Sequence, residues 1–400
     1  RWDLLVLGKR AVDIQPEELQ ELKALSPETK LLAHAAVGYN RDYDYPPINA
    51  DLSSVITANN WWMRDTRGNR VVLGDGSYLL NMTLDCPRDS KGRRLCDWLP
   101  EYYTERLIDT GLWDGLFLDY CMDRIAWVNN SADAPIDCNG DGTPEGRIEL
   151  NESWRAGMEE CVRRLRELVG DDVILTTNGN NTLYELCDGD TREDFPEMHG
   201  GWYENITHEE HGYLAFEAKY RDPTVNIINT IWDRGGSLTA PDRDSGFDRE
   251  FLLGLASTLV FGNGYFSCDG PAHGELWWLE YYDIDLGQPK GRCADVEATP
   301  GDEAWWLDLT ELIKCRKFER GIAVVNPTYM DHTIELGGAY YDVHSWNGRF
   351  YEYSGLKTRV DVRAYAGEVL VGTGIALQQM DDSPDVSVTR AGMELRWSAV

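Results

Sequence analysis

The stretch GLFLDY, Gly115 to Tyr120, decides the fold. Its apolar core, Leu116, Phe117 and Leu118, is too short for a helix and offers no polar face. It therefore reads as a strand buried on both sides, the kind found in parallel sheets covered by helices. The first polar side chain to emerge at its carboxyl end is Asp119, with Tyr120 beside it. Parallel α/β barrels collect their chemistry at that edge, which makes Asp119 the leading catalytic candidate.

Working outward from this strand, apolar runs alternate with helical patterns through the first three quarters of the chain, the signature of repeated βα units. The expected strands are Trp2 to Leu7, Leu31 to Val37, Tyr78 to Thr83, Gly115 to Asp119, Val173 to Thr177, His199 to Glu204, Val225 to Ile231 and Gly264 to Cys268. Helices are expected at Pro16 to Leu25, Trp98 to Thr110 and Glu152 to Val169. The last places Trp154, Met158, Cys161, Leu165 and Leu168 on one face. Eight strands with intervening helices predict an α/β fold, a (β/α)8 TIM barrel over residues 1–314.

After Lys314 the texture changes to short alternating runs: Ile322 to Val325, Thr333 to Leu336, Tyr341 to Trp346, Arg349 to Tyr353, Val360 to Val362 and Glu368 to Val371. Asn-Pro, Gly-Gly, Asn-Gly and Ser-Gly turns separate them. A small C-terminal antiparallel β-sandwich domain over residues 315–400 is predicted, with Val386 to Thr389 and Met393 to Trp397 as further strands.

Composition narrows the function. The 400 residues include 69 acids against 38 bases, a formal net charge of -31, and only 9 of the bases are Lys. Such a field repels nucleic acid and anionic membranes, so no nucleic-acid partner is expected. Adaptation to high salt and an ordinary acidic secreted protein both account for this balance. No apolar stretch is long enough for a membrane span. The chain opens at Arg1, which reads as a processed form. Five Asn-x-Ser/Thr sequons head at Asn81, Asn129, Asn151, Asn180 and Asn205. Close cysteine pairs, Cys86 and Cys96, Cys121 and Cys138, Cys268 and Cys293, suit loop-bridging disulfides. Together these point to an extracellular or cell-surface glycoprotein.

Cleaving a glycosidic bond takes two convergent carboxyl groups, one to protonate the leaving oxygen and one to attack or to activate water. The strand ends of a closed barrel can bring distant acids together. Here they supply Asp119, Asn178, Glu204, Asp233 and Asp269. Glu204, in HGGWYEN, is the natural partner of Asp119. Its neighbours Trp202 and Tyr203 make an apolar setting that suits a general acid, leaving Asp119 as nucleophile or base. Asn178, Asp233 and Asp269 are candidate substrate contacts. Aromatic faces that stack on sugar rings are expected among Trp61, Trp62, Tyr120, Trp202, Tyr203, Trp232, Trp277 and Trp278. Catalysis needs no cofactor. A structural Ca2+ is expected in DCNGDGTPEG, where Asp137, Asn139 and Asp141 hold positions one, three and five of a calcium loop and Thr143 offers its carbonyl. Ile148 stands where the bidentate Glu belongs, so Glu149 or Glu145 would substitute.

Beyond these features, GLWDGLFLDY, LLNMTLDCP, KLLAHAAVGYN and GGWYEN resemble the glycosidase barrels related to endo-α-1,4-polygalactosaminidases. In that group a strand reading DG(V/I)FLD carries an acid and a later strand ends in Glu. The resemblance spans roughly Trp2 to Thr328 and includes GIAVVNPT at the opening of the β domain. It implies catalytic roles for Asp119 and Glu204 only; the two-carboxylate reading as a whole expects a glycoside hydrolase acting on a poly- or oligosaccharide. No P-loop, GxGxxG or GxSxG motif is present. The rival reading is a catalytically inactive glycan-binding or filament-forming protein on the same fold, and a glycosyl-transferring enzyme would use the same acids.

Overall fold

The computed structural model describes residues 2–41, 47–74, 76–130, 134–196, 201–231, 247–262, 264–269, 280–291, 294–295, 298–299, 313–344, 352–353 and 355–373. The chain divides into two compact units, residues 1–191 with 209–226, and residues 192–208 with 227–400.

The first unit begins with β1 (Leu4–Gly8), α1 (Ala11–Ile14), α2 (Pro16–Leu25) and β2 (Lys30–His34). Next come β3 (Tyr39–Arg41), α3 (Pro47–Ala58), β4 (Val72–Gly74) and β5 (Ser77–Leu79). The unit continues through α4 (Leu95–Arg106), β6 (Gly115–Asp119), α5 (Arg147–Val169), β7 (Ile174–Asn178) and β8 (Gly189–Arg192). Strands β1, β2, β6, β7 and β8 pair in parallel in that order. Every residue of β6 is buried, so the double-sided apolar run behaves as its sequence predicts.

The second unit carries α6 (Trp202–Thr207), while α7 (Tyr213–Lys219) belongs to the first. It adds β9 (Ile227–Ile231), α8 (Phe247–Phe261) and β10 (Tyr265–Asp269), and β9 and β10 pair in parallel. These are the strands and helices of an α/β barrel. The same unit holds an antiparallel sheet of β11 (Ala294–Asp295), β12 (Ala298–Thr299), β13 (Lys314–Lys317), β14 (Gly321–Asn326), β15 (His332–His344), β16 (Glu352–Tyr353), β17 (Lys357–Val362) and β18 (Ala366–Gly372). Its core includes Ile322, Val324, Ile334, Val360, Val362 and Leu370. The sheet recruits β11 and β12 ahead of the expected boundary at residue 315. The expected strands in residues 374–400 lie outside the described residues.

Two strand expectations are corrected. Tyr78 to Thr83 does not join the barrel: β5 pairs antiparallel with β3 and β4, and β2 pairs directly with β6. The sixth barrel strand is not His199 to Glu204. Trp202–Thr207 is a helix, residues 197–200 lie outside the described residues, and the strand after β7 is β8, reading GDTR.

Cys86, Cys96, Cys121, Cys138, Cys161, Cys187 and Cys268 are buried thiols. The expected bridges Cys86–Cys96 and Cys121–Cys138 are therefore absent, and Cys293 lies outside the described residues. Buried Cys serves here as a small apolar side chain. Burial pushes the Cys86, Cys96 and Cys268 thiols up to about 12. Two sequons are also unsuited to glycan attachment in the folded chain. Asn81 is buried and donates to the Cys138 carbonyl at 2.7 Å, and Asn205 is buried and donates to the carbonyls of Pro196 and Gly201. Among the described residues no helix is long and apolar enough to cross a membrane.

Candidate active site

The carboxyl end of β6 delivers Asp119 into a pocket of donors built from four neighbouring segments of the first unit. Oδ2 accepts the Tyr39 hydroxyl at 2.9 Å and lies 3.1 Å from His34 Nε2. Oδ1 accepts the Tyr120 backbone N–H at 2.9 Å and Asn178 Nδ2 at 3.2 Å. His34 ends β2 and Asn178 ends β7, so parallel pairing with β6 sets their spacing, while Tyr39 reaches Asp119 from β3, outside the parallel sheet. Register puts Asp119 opposite Asn178. Lys9, just beyond β1, is buried, with its ammonium 5.9 Å from the centre of the Tyr103 ring.

Backbone shape completes the arrangement. Tyr120 adopts φ 57°, a left-handed conformation costly for a bulky side chain. The turn is held by close approach: a Cβ on Gly38 would sit 2.6 Å from the Tyr120 Cβ, and one on Gly179 would sit 2.5 Å from the Cys121 carbonyl carbon. Only glycine admits these contacts. The Tyr120 ring meets Tyr39 edge-on, with centroids 4.9 Å apart.

Electrostatically, Asp119 is held ionised. Burial pushes its carboxyl up, but the contact with His34 and the hydrogen bonds from Tyr39 and the Tyr120 amide outweigh it and set it below the usual carboxylate range. Burial raises the Tyr39 hydroxyl, and the negative Asp119 raises it further, so Tyr39 stays a donor. Burial lowers Lys9 to about 8, opposed by the attraction of Asp119. The result is a desolvated anion with a cationic group nearby and fixed donors on both oxygens.

The other expected residues fare differently. Asn178 joins Asp119 as a carboxylate-orienting residue. Trp62 is buried, donates to Thr57 Oγ1 at 2.9 Å and carries Arg70 over its face, so it is packing rather than a sugar platform. Trp61 is buried likewise. Trp202 is buried and donates to Ser257 Oγ at 2.9 Å. Tyr203 and Glu204 lie exposed on α6, and Trp202 therefore does not supply the apolar pocket expected around Glu204. Asp269 ends β10 and accepts Asn229 Nδ2 at 3.2 Å. Trp232, Asp233, Trp277 and Trp278 lie outside the described residues.

In the loop expected to hold Ca2+, the Asp137 carboxylate accepts the amides of Gly140, Asp141 and Gly142. Asn139 Oδ1 accepts the amide of Asp141, and Asp141 Oδ1 that of Thr143. Glu145 accepts the Cys138 amide, and Glu149 sits in the first turn of α5. Among the described residues no three His, Cys, Asp or Glu side chains gather as metal ligands. The loop's oxygens are engaged by its own backbone.

Sequence inspection passed over Lys9, His34 and Tyr39. Lys9 directly follows β1 and His34 ends β2; VLGK and LLAH each close an apolar run with a basic or titratable residue, the same signal that identified Asp119.

A buried carboxylate at the carboxyl end of a parallel barrel strand stands where barrel enzymes place their catalytic groups. The family model described as "Hypothetical glycosyl hydrolase family 15" matches residues 23–322, and the chain belongs to that family. Comparison with curated proteins finds no match. Among solved structures, the chain is similar to a cycloalternan-degrading enzyme from Trueperella pyogenes, at 12% identity and TM-score 0.44 over 90% of this chain and 52% of that one. It is also similar to the Arthrobacter globiformis T6 isomalto-dextranase complexed with panose, at 14% identity and TM-score 0.40 over 88% and 60%. A third is the cyclic α-maltosyl-(1→6)-maltose hydrolase from Arthrobacter globiformis, at 12% identity and TM-score 0.41 over 90% and 79%. The chain spans about half the length of the first of these.

Proposed function

We propose that this chain hydrolyses O-glycosidic bonds of a poly- or oligosaccharide, with Asp119 as the catalytic carboxylate. The observation that carries the proposal is the donor set around Asp119. Four groups stabilise its anion at a buried strand end, and a general acid would not be held this way. An anion so fixed can attack an anomeric carbon or stabilise the oxocarbenium charge that develops there. Tyr39 and Asn178 orient it, and Lys9 adds a charge whose loss above about pH 8 would weaken that stabilisation.

The proton donor in this scheme is Glu204. Its support is the GGWYEN motif, in which it stands exposed on α6. The resemblance of GLWDGLFLDY to polygalactosaminidase-related barrels makes hexosamine polymers the first substrates to try, and the -31 charge favours neutral or cationic chains over anionic ones. A structural Ca2+ at Asp137, Asn139 and Asp141 rests on their spacing alone, because the loop's own amides engage the oxygens that would hold it.

The test is release of reducing ends from a polysaccharide panel by wild type, Asp119→Asn and Glu204→Gln. Turnover should fall by about 10³-fold or more in Asp119→Asn, equivalent to about 4 kcal/mol of lost transition-state stabilisation. Full activity in Asp119→Asn would remove the hydrolase assignment built on it.

A further inference from the structure

Among the described residues of the second unit, an exposed tyrosine packs against a half-buried one on the β domain. Tyr329, 80% exposed, lies in the loop between β14 and β15, and Tyr365 lies in the turn between β17 and β18. Their rings meet edge-to-face with centroids 4.8 Å apart. Tyr203, 36% exposed on α6 and next to Glu204 in sequence, lies close enough to feel both phenols electrostatically. Burial raises the Tyr203 hydroxyl first, and the nearby Tyr329 phenol raises it further. The Tyr365 hydroxyl is raised by burial, by a hydrogen bond with Tyr329 and by the neighbouring Tyr203.

The scaffold beneath the pair is far more ordered than an exposed loop tip requires. Asn326, fully buried at the end of β14, donates through its single amide nitrogen to the carbonyls of Met330, Val362 and Arg363 at 2.8, 3.1 and 3.0 Å. Its oxygen accepts the Thr328 amide and hydroxyl. Asp331 accepts the Ala364 amide at 2.8 Å, and the Tyr365 amide reaches the Thr328 carbonyl at 3.0 Å. The two loops are thereby tied to each other as well as to the sheet. Tyr365 itself sits at φ 48°, where glycine is favoured and tyrosine is strained. Strain of this kind persists where the side chain is needed for something other than folding.

We propose that Tyr203, Tyr329 and Tyr365 form a preorganised stacking platform for pyranose rings of a polysaccharide, beside Glu204. Flat rings with hydroxyls at their rims match a sugar, which presents an apolar C–H face bordered by hydroxyl groups. Fixed loops lower the ordering cost of binding. The proposal deepens the glycoside-hydrolase assignment and rests on it for the identity of the occupant.

The test is affinity electrophoresis of the full-length chain carrying Asp119→Asn, so that no polymer is cut. The gels contain dextran, soluble starch, galactan, chitosan or partly N-acetylated polygalactosamine. At least one polymer should retard the protein, Tyr329→Ala should weaken retardation about tenfold, and Tyr329→Trp should restore it. Tyr365→Gly should weaken retardation while leaving the thermal midpoint unchanged or higher, because glycine relieves the backbone strain. A structural role for Tyr365 would instead lower the midpoint. Retardation by none of the polymers, or equal retardation of the parent and the Tyr329→Ala and Tyr365→Gly proteins, overturns the platform. Loss of the hydrolase assignment would show separately, as unchanged turnover in Asp119→Asn.

Discussion

Replacing Tyr39 by Phe tests the electrostatics of the site at a single atom. The ring is retained, so its edge-on contact with Tyr120 survives. The hydroxyl donating to Asp119 Oδ2 at 2.9 Å is lost, and His34 Nε2 remains the other contact on that oxygen. A hydrogen bond to a charged acceptor contributes about 1.5–3 kcal/mol. At 1.36 kcal/mol per pH unit, the acid limb of the rate profile should move up by roughly 1 to 2 pH units. Stability supplies an independent check. Asp119 is held below its unfolded value, so its contribution is present above about pH 4 and is lost as pH falls through the folded value. Tyr39→Phe should therefore cost about 1.5–3 kcal/mol in urea unfolding at pH 7 and progressively less in more acidic buffer. The assay pairs pH–rate profiles on a cleaved polymer with urea titrations at pH 7 and pH 3. An unmoved acid limb, or a stability loss as large at pH 3 as at pH 7, would refute the role given to Tyr39.

Three further outcomes are expected. Arg166 and Asp188 form a buried pair at 2.8 Å, and the same guanidinium serves the carbonyls of Leu186, Gly170 and Val173. Arg166→Met should cost about 3–5 kcal/mol, and Arg166→Met with Asp188→Leu should recover much of it, as followed by urea unfolding. Lys9 is lowered to about 8 by burial, so the folded state prefers it neutral, and its penalty is largest below pH 8 and fades toward its unfolded value near 10.4. Lys9→Met should thus stabilise by about 1–3 kcal/mol at pH 7 and by little above pH 10, while lowering activity, as read from paired melts and rates. The buried thiols should react with a thiol-specific reagent only on unfolding, with or without prior reduction, and prompt labelling of native protein at several cysteines would contradict their burial.

Legibility in the sequence followed the apolar pattern. Strand β6 is read to the residue because Leu116, Phe117 and Leu118 can satisfy only a doubly covered strand, and α2 because Pro16 and the spacing of its leucines fix both ends. Strand β8 was illegible for the opposite reason. GDTR has no apolar residue; its Asp190 carboxylate is buried by accepting the amides of Asn181 and Thr191 and the strand by pairing to β7, which no local pattern encodes. The motif WYEN misleads in the other direction, since aromatic residues favour strands while six residues after Gly201 wind into α6. Asp119 and Asn178 were found because both end recognised strands. Of their companions, His34 is brought beside Asp119 by the register of β2 with β6, whereas Lys9 follows β1 and Tyr39 sits on the antiparallel β3, so their polar side chains look incidental until the fold is known.

Backbone strain links the two proposed sites. Among the described residues, the non-glycine positions at positive φ are Asn60, Tyr120, Asn180, Asp194 and Tyr365. Asn and Asp tolerate this region because their short side chains bond locally, whereas a tyrosine there costs on the order of 1–2 kcal/mol. Both tyrosines are held in place by contacts that would otherwise be unnecessary. Tyr120 is clamped between Gly38 and the Asp119 carboxylate, and Tyr365 is clamped by Asn326 and Thr328. A fold under selection for stability alone would place glycine at each. Glycine at either position should therefore leave stability level or raise it and reduce function, cleavage in the case of Tyr120 and polymer retention in the case of Tyr365. If both substitutions instead destabilise the chain with function intact, the strained tyrosines are packing devices, and the link between strain and sugar chemistry is lost.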